Sequence, residues 1–77
     1  MTEPMTGSRF PVVFAIYENP TDYPNKFVVR EWRGLVANLE PHMVTSSLRE
    51  ARESVPEGLI NIGRREGDDT KIVEVWI

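Results

Sequence analysis

An α+β fold is predicted by three observations: β-branched segments that come in two turn-joined pairs, one capped helical segment between the pairs, and a length that admits a single domain. The chain has 77 residues, which is the size of one small domain. The predicted order is β-β-α-β-β, a four-stranded, mainly antiparallel sheet with one short helix packed on one face. Residues 1–8 read as a flexible N-terminal tail and 9–77 as the single domain.

Arg9 to Tyr17 (RFPVVFAIY) is the first expected strand. It is rich in Phe, Val and Ile, side chains that pack well on a pleated surface. Phe10, Val12, Phe14 and Ile16 fall on one face and Val13, Ala15 and Tyr17 on the other. A strand apolar on both faces belongs inside a sheet, with Pro11 at its start because proline has no amide to donate. Glu18 to Asn25 is a turn cluster. Lys26 to Arg33 (KFVVREWR) is the second strand and closes an antiparallel hairpin.

Gly34 to Thr45 carries Leu35, Val36, Leu39, Met43 and Val44, with Pro41 barring a continuous helix. It reads as an ordered crossover with a short extended piece. Ser47 to Val55 (SLREARESV) is the helix, with Ser47 as N-cap and Glu50 at the capping-box position. Leu48, Ala51 and Val55 share its inner face, and Pro56 ends it. So short a helix has no stability of its own and needs the sheet. Gly58 to Arg64 (GLINIGR) and Lys71 to Ile77 (KIVEVWI) are the third and fourth strands, joined by the turn Arg65 to Thr70. A helix between hairpins implies a right-handed crossover with parallel flanking strands.

Composition narrows the function classes. Cysteine is absent, which excludes disulfides and Cys-type zinc sites. A net charge of -3 argues against a dedicated nucleic-acid binder. No apolar run spans a membrane and residues 1–8 do not resemble a signal peptide. The expectation is a cytoplasmic protein. A core this small is modest in stability, and a partner subunit is the staple that the composition leaves open.

One short helix covers one sheet face. If Phe27, Val29, Val73, Val75 and Ile77 form the core side, the other side carries Val28, Arg30, Trp32, Ile72, Glu74 and Trp76. That face is too apolar to be merely solvated, and tryptophan and arginine are favoured at binding hot spots. Arg30, Trp32, Glu74 and Trp76 are therefore the candidate partner-binding residues, with Arg30 and Glu74 also placed to form a surface ion pair. The competing reading has the segment 34–45 fold across this face and bury it.

Other constellations are weaker. Arg30, Trp32, Arg33, Arg64 and Arg65 suggest stacking and phosphate contacts, the alternative being a nucleic-acid-associated accessory protein that uses Arg30, Arg33, Arg64 and Arg65. Glu66, Asp68 and Asp69 suit a polar turn better than a calcium loop, which needs more oxygens at fixed spacing. His42, the single histidine, has no evident orienting partner for general-base work. Nothing indicates a catalytic residue, a cofactor, a metal or a small-molecule ligand.

Phe27 to Trp32 (FVVREW), Ser47 to Leu59 (SLREARESVPEGL) and Asp68 to Ile77 (DDTKIVEVWI) together resemble a type of small uncharacterised bacterial or prophage-encoded protein. The resemblance implies a compact domain of bacterial or phage derivation and transfers no functional residues. The residues themselves point to a non-enzymatic binding module that uses a tryptophan-bearing sheet face for a protein partner or for a homodimer.

Overall fold

A computed structural model describes residues 12–77. The expected tail, and Arg9, Phe10 and Pro11 of the first strand, lie outside the described residues. The elements are β1 (Val12–Glu18), β2 (Phe27–Arg33), β3 (Val36–Ala37), β4 (Met43–Thr45), α1 (Leu48–Ser54) and β5 (Ile72–Trp76). The sheet order is β3-β2-β1-β5, with β4 also beside β2, and every pairing is antiparallel. The α+β class, the antiparallel sheet and the single helix on one face are as expected. The parallel crossover is not formed, because the segment that follows the helix, at Ile60–Ile62, pairs antiparallel with β5 and so runs antiparallel to β2.

The first hairpin keeps its full register, from Val12 opposite Arg33 to Glu18 opposite Phe27. Its loop turns at Asn19 (φ 54°) and Asn25 (φ 65°), left-handed positions that asparagine tolerates. The Asn19 side-chain oxygen accepts from the Asn25 amide at 2.8 Å and holds the loop ends together.

The segment after β2 is not a crossover. It doubles back at Gly34 (φ 62°) and runs along the outer edge of β2 as one edge strand in two pieces. The Asn38 amide bonds to the Glu31 carbonyl and the His42 amide to the Val29 carbonyl, so residues 39–41 bulge outward between them. Pro41 sits in that bulge, where a residue without an amide costs the ladder nothing. Leu35 and Leu39, which the composition alone would bury, are 95% and 92% exposed.

Helix α1 starts and stops where its caps dictate. The Ser47 hydroxyl accepts from the Glu50 amide at 3.2 Å. The capping box closes through a third residue. Thr45 donates its hydroxyl to the Glu50 carboxylate and accepts from the Ser47 amide at 3.2 Å. Val55 leaves the helix in extended geometry (φ -71°, ψ 135°), as a residue before proline does.

The third expected strand survives only as a bonded segment on the outer side of β5. Ile60 and Ile77 exchange two backbone hydrogen bonds of 2.7 and 3.0 Å, and the Ile62 amide reaches the Val75 carbonyl at 2.8 Å. Gly63, in left-handed geometry (φ 72°), ends it.

Strand β5 carries the main departure from a simple alternating pattern. Trp76 lies opposite Phe14, Val75 opposite Ala15 and Glu74 opposite Ile16, yet Ile72 lies opposite Tyr17. Val73 is the extra residue of a bulge. It and Trp76 pack on the core around Phe14, Ile16, Val29, Ala51 and Val55, while Ile72 turns to the other side.

Ile16, Val29 and Ala51 are completely buried. Ile16→Ala should lower stability by about 2–5 kcal/mol, because so small a core cannot collapse around the void. A urea titration read by circular dichroism checks this: the midpoint should fall sharply, whereas a change confined to the helix surface, such as Arg49→Ala, should scarcely move it.

Candidate functional site

The helix and the core occupy one side of the sheet. On the other side β1 presents Val13, Ala15 and Tyr17, and β2 presents Val28, Arg30 and Trp32. The β5 bulge adds Ile72, Val75 and Ile77 to this side. An open groove of about 540 Å³ runs over it, walled by Trp32 and Leu35 at one end and by Ile62 and the 65–69 turn at the other. The Trp32 indole donates to the Tyr17 hydroxyl at 3.3 Å, so the two rings stand as a fixed pair beside Ala15.

The four candidate binding residues do not share this face. Arg30 and Trp32 lie on the groove side, whereas Glu74 and Trp76 lie on the helix side. The reason is the β5 register: Glu74 and Trp76 are set opposite the core residues Ile16 and Phe14, and the bulge lets Ile72 alone escape to the groove side. Val75 and Ile77, expected in the core, line the groove instead. The expected Arg30–Glu74 pair is likewise absent, since each has another partner.

Arg30 is spent on holding the fold. It donates to Asp22 Oδ2 at 2.8 Å and to the carbonyls of Asn38 and Leu39 at 3.1 and 2.9 Å. One guanidinium thus ties the first hairpin loop to the edge-strand bulge. The 34–45 segment reaches the groove side at this point and at Gly34 and Leu35, which border the groove; elsewhere it follows the edge.

Glu74 is 7% exposed on the core side, where an unpaired carboxylate would be costly. Arg52 reaches down from α1 and donates to Glu74 Oε2 through Nε at 2.8 Å and through a second guanidinium nitrogen. The Trp76 indole donates to Oε1 at 3.1 Å. Burial pushes the carboxyl up, but the bonds from Arg52, Trp76 and Asn61 and the Arg52 charge outweigh it and hold Glu74 below its ordinary value. This group is a strut between helix and sheet. Sequence reading passed over Arg52, although its place four residues after Leu48 puts it beside the buried stripe.

The remaining candidates are separated or occupied. Arg33 stands at the end of β2 and pairs with Glu31 at 2.9 Å. Arg64 and Arg65 lie beyond β5, across the sheet from it, so no single basic patch forms. His42 donates from Nε2 to the Ser54 carbonyl at 2.7 Å and stacks its ring against Phe14 edge to face at 5.0 Å. It satisfies a carbonyl left open at the helix end. Asp68 accepts from the Arg65 amide and Asp69 from the Lys71 amide, each at 2.8 Å, which makes the 65–71 stretch a side-chain-bonded turn. Among the described residues no acidic or histidine cluster could hold a metal, and no helix is long and apolar enough to cross a membrane.

Comparison with protein-family models, curated proteins and solved structures gave no match to this chain. The site is therefore read from its own geometry.

Two outcomes follow. Arg30→Ala should lower stability by about 1.5–3 kcal/mol, the scale of hydrogen bonds to a charged group, with amide exchange quickened at Asn38–Pro41 and in the 19–26 loop. Glu74 binds its proton less readily in the folded than in the unfolded chain, where a glutamate titrates near about 4.3. Its contribution is complete above that value and is lost as pH falls through the lower folded one. Glu74→Gln should therefore be the less stable protein at pH 7 and should lose less stability than the parent on acidification to pH 3; urea midpoints at both pH values test this.

Proposed function

We propose that the chain is a non-enzymatic interaction module whose helix-free sheet face receives a protein segment, from a partner or from a second copy of the chain. The observation that carries this reading is the groove around Trp32, which none of the described residues covers, lined by Val13, Val75 and Ile77 on a face that the helix never reaches. Exposed apolar grooves with an aromatic anchor are the usual form of such sites. Of the four residues first selected, Trp32 retains the contact role. Arg30 supports the groove by fixing the adjacent loops, and Glu74 and Trp76 support the sheet from its other side. No cofactor enters the reading, and cytoplasmic residence is its expected setting.

The test is an amide NMR map of the chain in two series: increasing protein concentration with the solution mass followed by light scattering, and titration with the neutral apolar peptide Ac-Val-Leu-Val-amide. Shifts at Val13, Ala15, Trp32 and Val75 in either series support the reading. Groove amides that stay still in both overturn it. Trp32→Ala should remove the response and leave the thermal transition within a few degrees of the parent, while Trp76→Ala should lower that transition, because Trp76 packs on the core.

A further inference from the structure

Apolar walls explain why the groove should bind something; its charged end narrows what that is. The 65–69 turn brings Asp68 and Asp69 to the groove end that Tyr17 and Ile72 also line, and Arg65 is the one cation among the groove's lining residues. Arg64 is engaged with the Asp68 carbonyl at 3.4 Å, and Lys71 stands beside Asp69 at the adjoining hollow. Each aspartate uses one carboxylate oxygen to hold the turn. A carboxylate keeps further acceptor sites when one oxygen is engaged. Both carboxylates act on the Tyr17 phenol: burial is the largest cause of its raised pKa, and Asp69 and Asp68 add to it against the opposing Trp32 bond and Arg30 charge. The faces of Tyr17 and Trp32 are the other element. Aromatic faces attract a cation, best when it is a guanidinium or ammonium partly removed from water.

Resting on the interaction-module reading, we propose that the groove takes a partner segment with a basic side chain, arginine or lysine, between two apolar ones. The basic head lies at the Tyr17–Asp69 end and the apolar neighbours lie on Val13, Val75 and Ile77. Charge complementarity favours this occupant over a second copy. The residues that line the groove carry two carboxylates against one guanidinium, and the whole chain is -3, so two copies meeting face to face bring like charge together. Arg30 does not compete for the site from within, since its guanidinium is held by Asp22 and two carbonyls.

The probes are Ac-Val-Arg-Val-amide, its glutamate counterpart Ac-Val-Glu-Val-amide and the neutral Ac-Val-Leu-Val-amide, titrated into the labelled full chain at low salt. The arginine peptide should bind about fivefold more tightly than the neutral one, the size of an exposed cation–π contact with a surface ion pair. It should shift Tyr17, the Trp32 indole, Asp68 and Asp69, and the preference should shrink as salt shortens the reach of the charges. Asp69→Asn keeps an oxygen for the Lys71 amide and removes only the charge. It should cut the arginine preference while leaving neutral-peptide binding and the thermal transition as they were. Asp68→Asn is the second variant should Asp69→Asn fold poorly.

Equal binding of the arginine, neutral and glutamate peptides would overturn the proposed occupant and leave the interaction-module reading standing. A mass that doubles with concentration, with shifts at the same amides, would overturn it in favour of a second copy. Groove amides unmoved by all three peptides and by concentration would overturn both this proposal and the reading on which it rests.

Discussion

One seven-residue helix against a sheet whose inner strand is apolar on both faces is the constraint on which this molecule depends. A helix of that length buries one side of a sheet and no more. Phe14, Ile16 and Val29 meet Ala51 and Val55 on the side it covers. Everything on the other side must be shielded by the strands' own side chains and by the turns around them. Ala15 and Val28 achieve this fully, at 2% and 1% exposure, while the strip from Val13 to Ile77 does not. The groove is what remains when the helix has been used once.

Two arginines settle how the pieces around that sheet are held. Arg52 fastens the helix to β5 by answering a carboxylate that the core side would otherwise reject, and Arg30 fastens two loops to each other across β2. Neither is a free surface charge. Their engagement also disperses the basic residues: the arginines that look like a cluster in the chain end on different faces and different edges.

The first hairpin, the helix and its caps were legible because their signals are local. Alternation from Val12 to Arg33 needs no knowledge of a third strand, and Ser47 with Pro56 brackets the helix in the chain itself. The face of β5 was not legible. Period two assigns Ile72, Glu74 and Trp76 to one side, and only the bulge at Val73, a product of pairing with β1, splits them. The path of 34–45 failed for a related reason. Pro41 argues against a helix there, but it is equally at home in an edge-strand bulge, and the bonds that Arg30 donates to the carbonyls of Asn38 and Leu39 in that bulge are long-range contacts that no local signal announces. Half of the candidate site was therefore found: Trp32 and its face, but not the Tyr17 pairing or the turn that brings Asp68 and Asp69 to the groove.

The bulge at residues 39–41 also bears on how this chain meets its own copies. An uninterrupted edge strand offers a row of unpaired amides and carbonyls to any passing strand, and that is how sheets fuse into open-ended stacks. Here the outer edge is broken in the middle, a proline removes one amide, and the Asn38 and Leu39 carbonyls are turned inward to Arg30. On the far side the edge is the short run at Ile60–Gly63, cut off by a left-handed glycine. Sideways growth of the sheet is thus discouraged at both margins, which leaves its flat faces rather than its edges as the extended surfaces of the described residues.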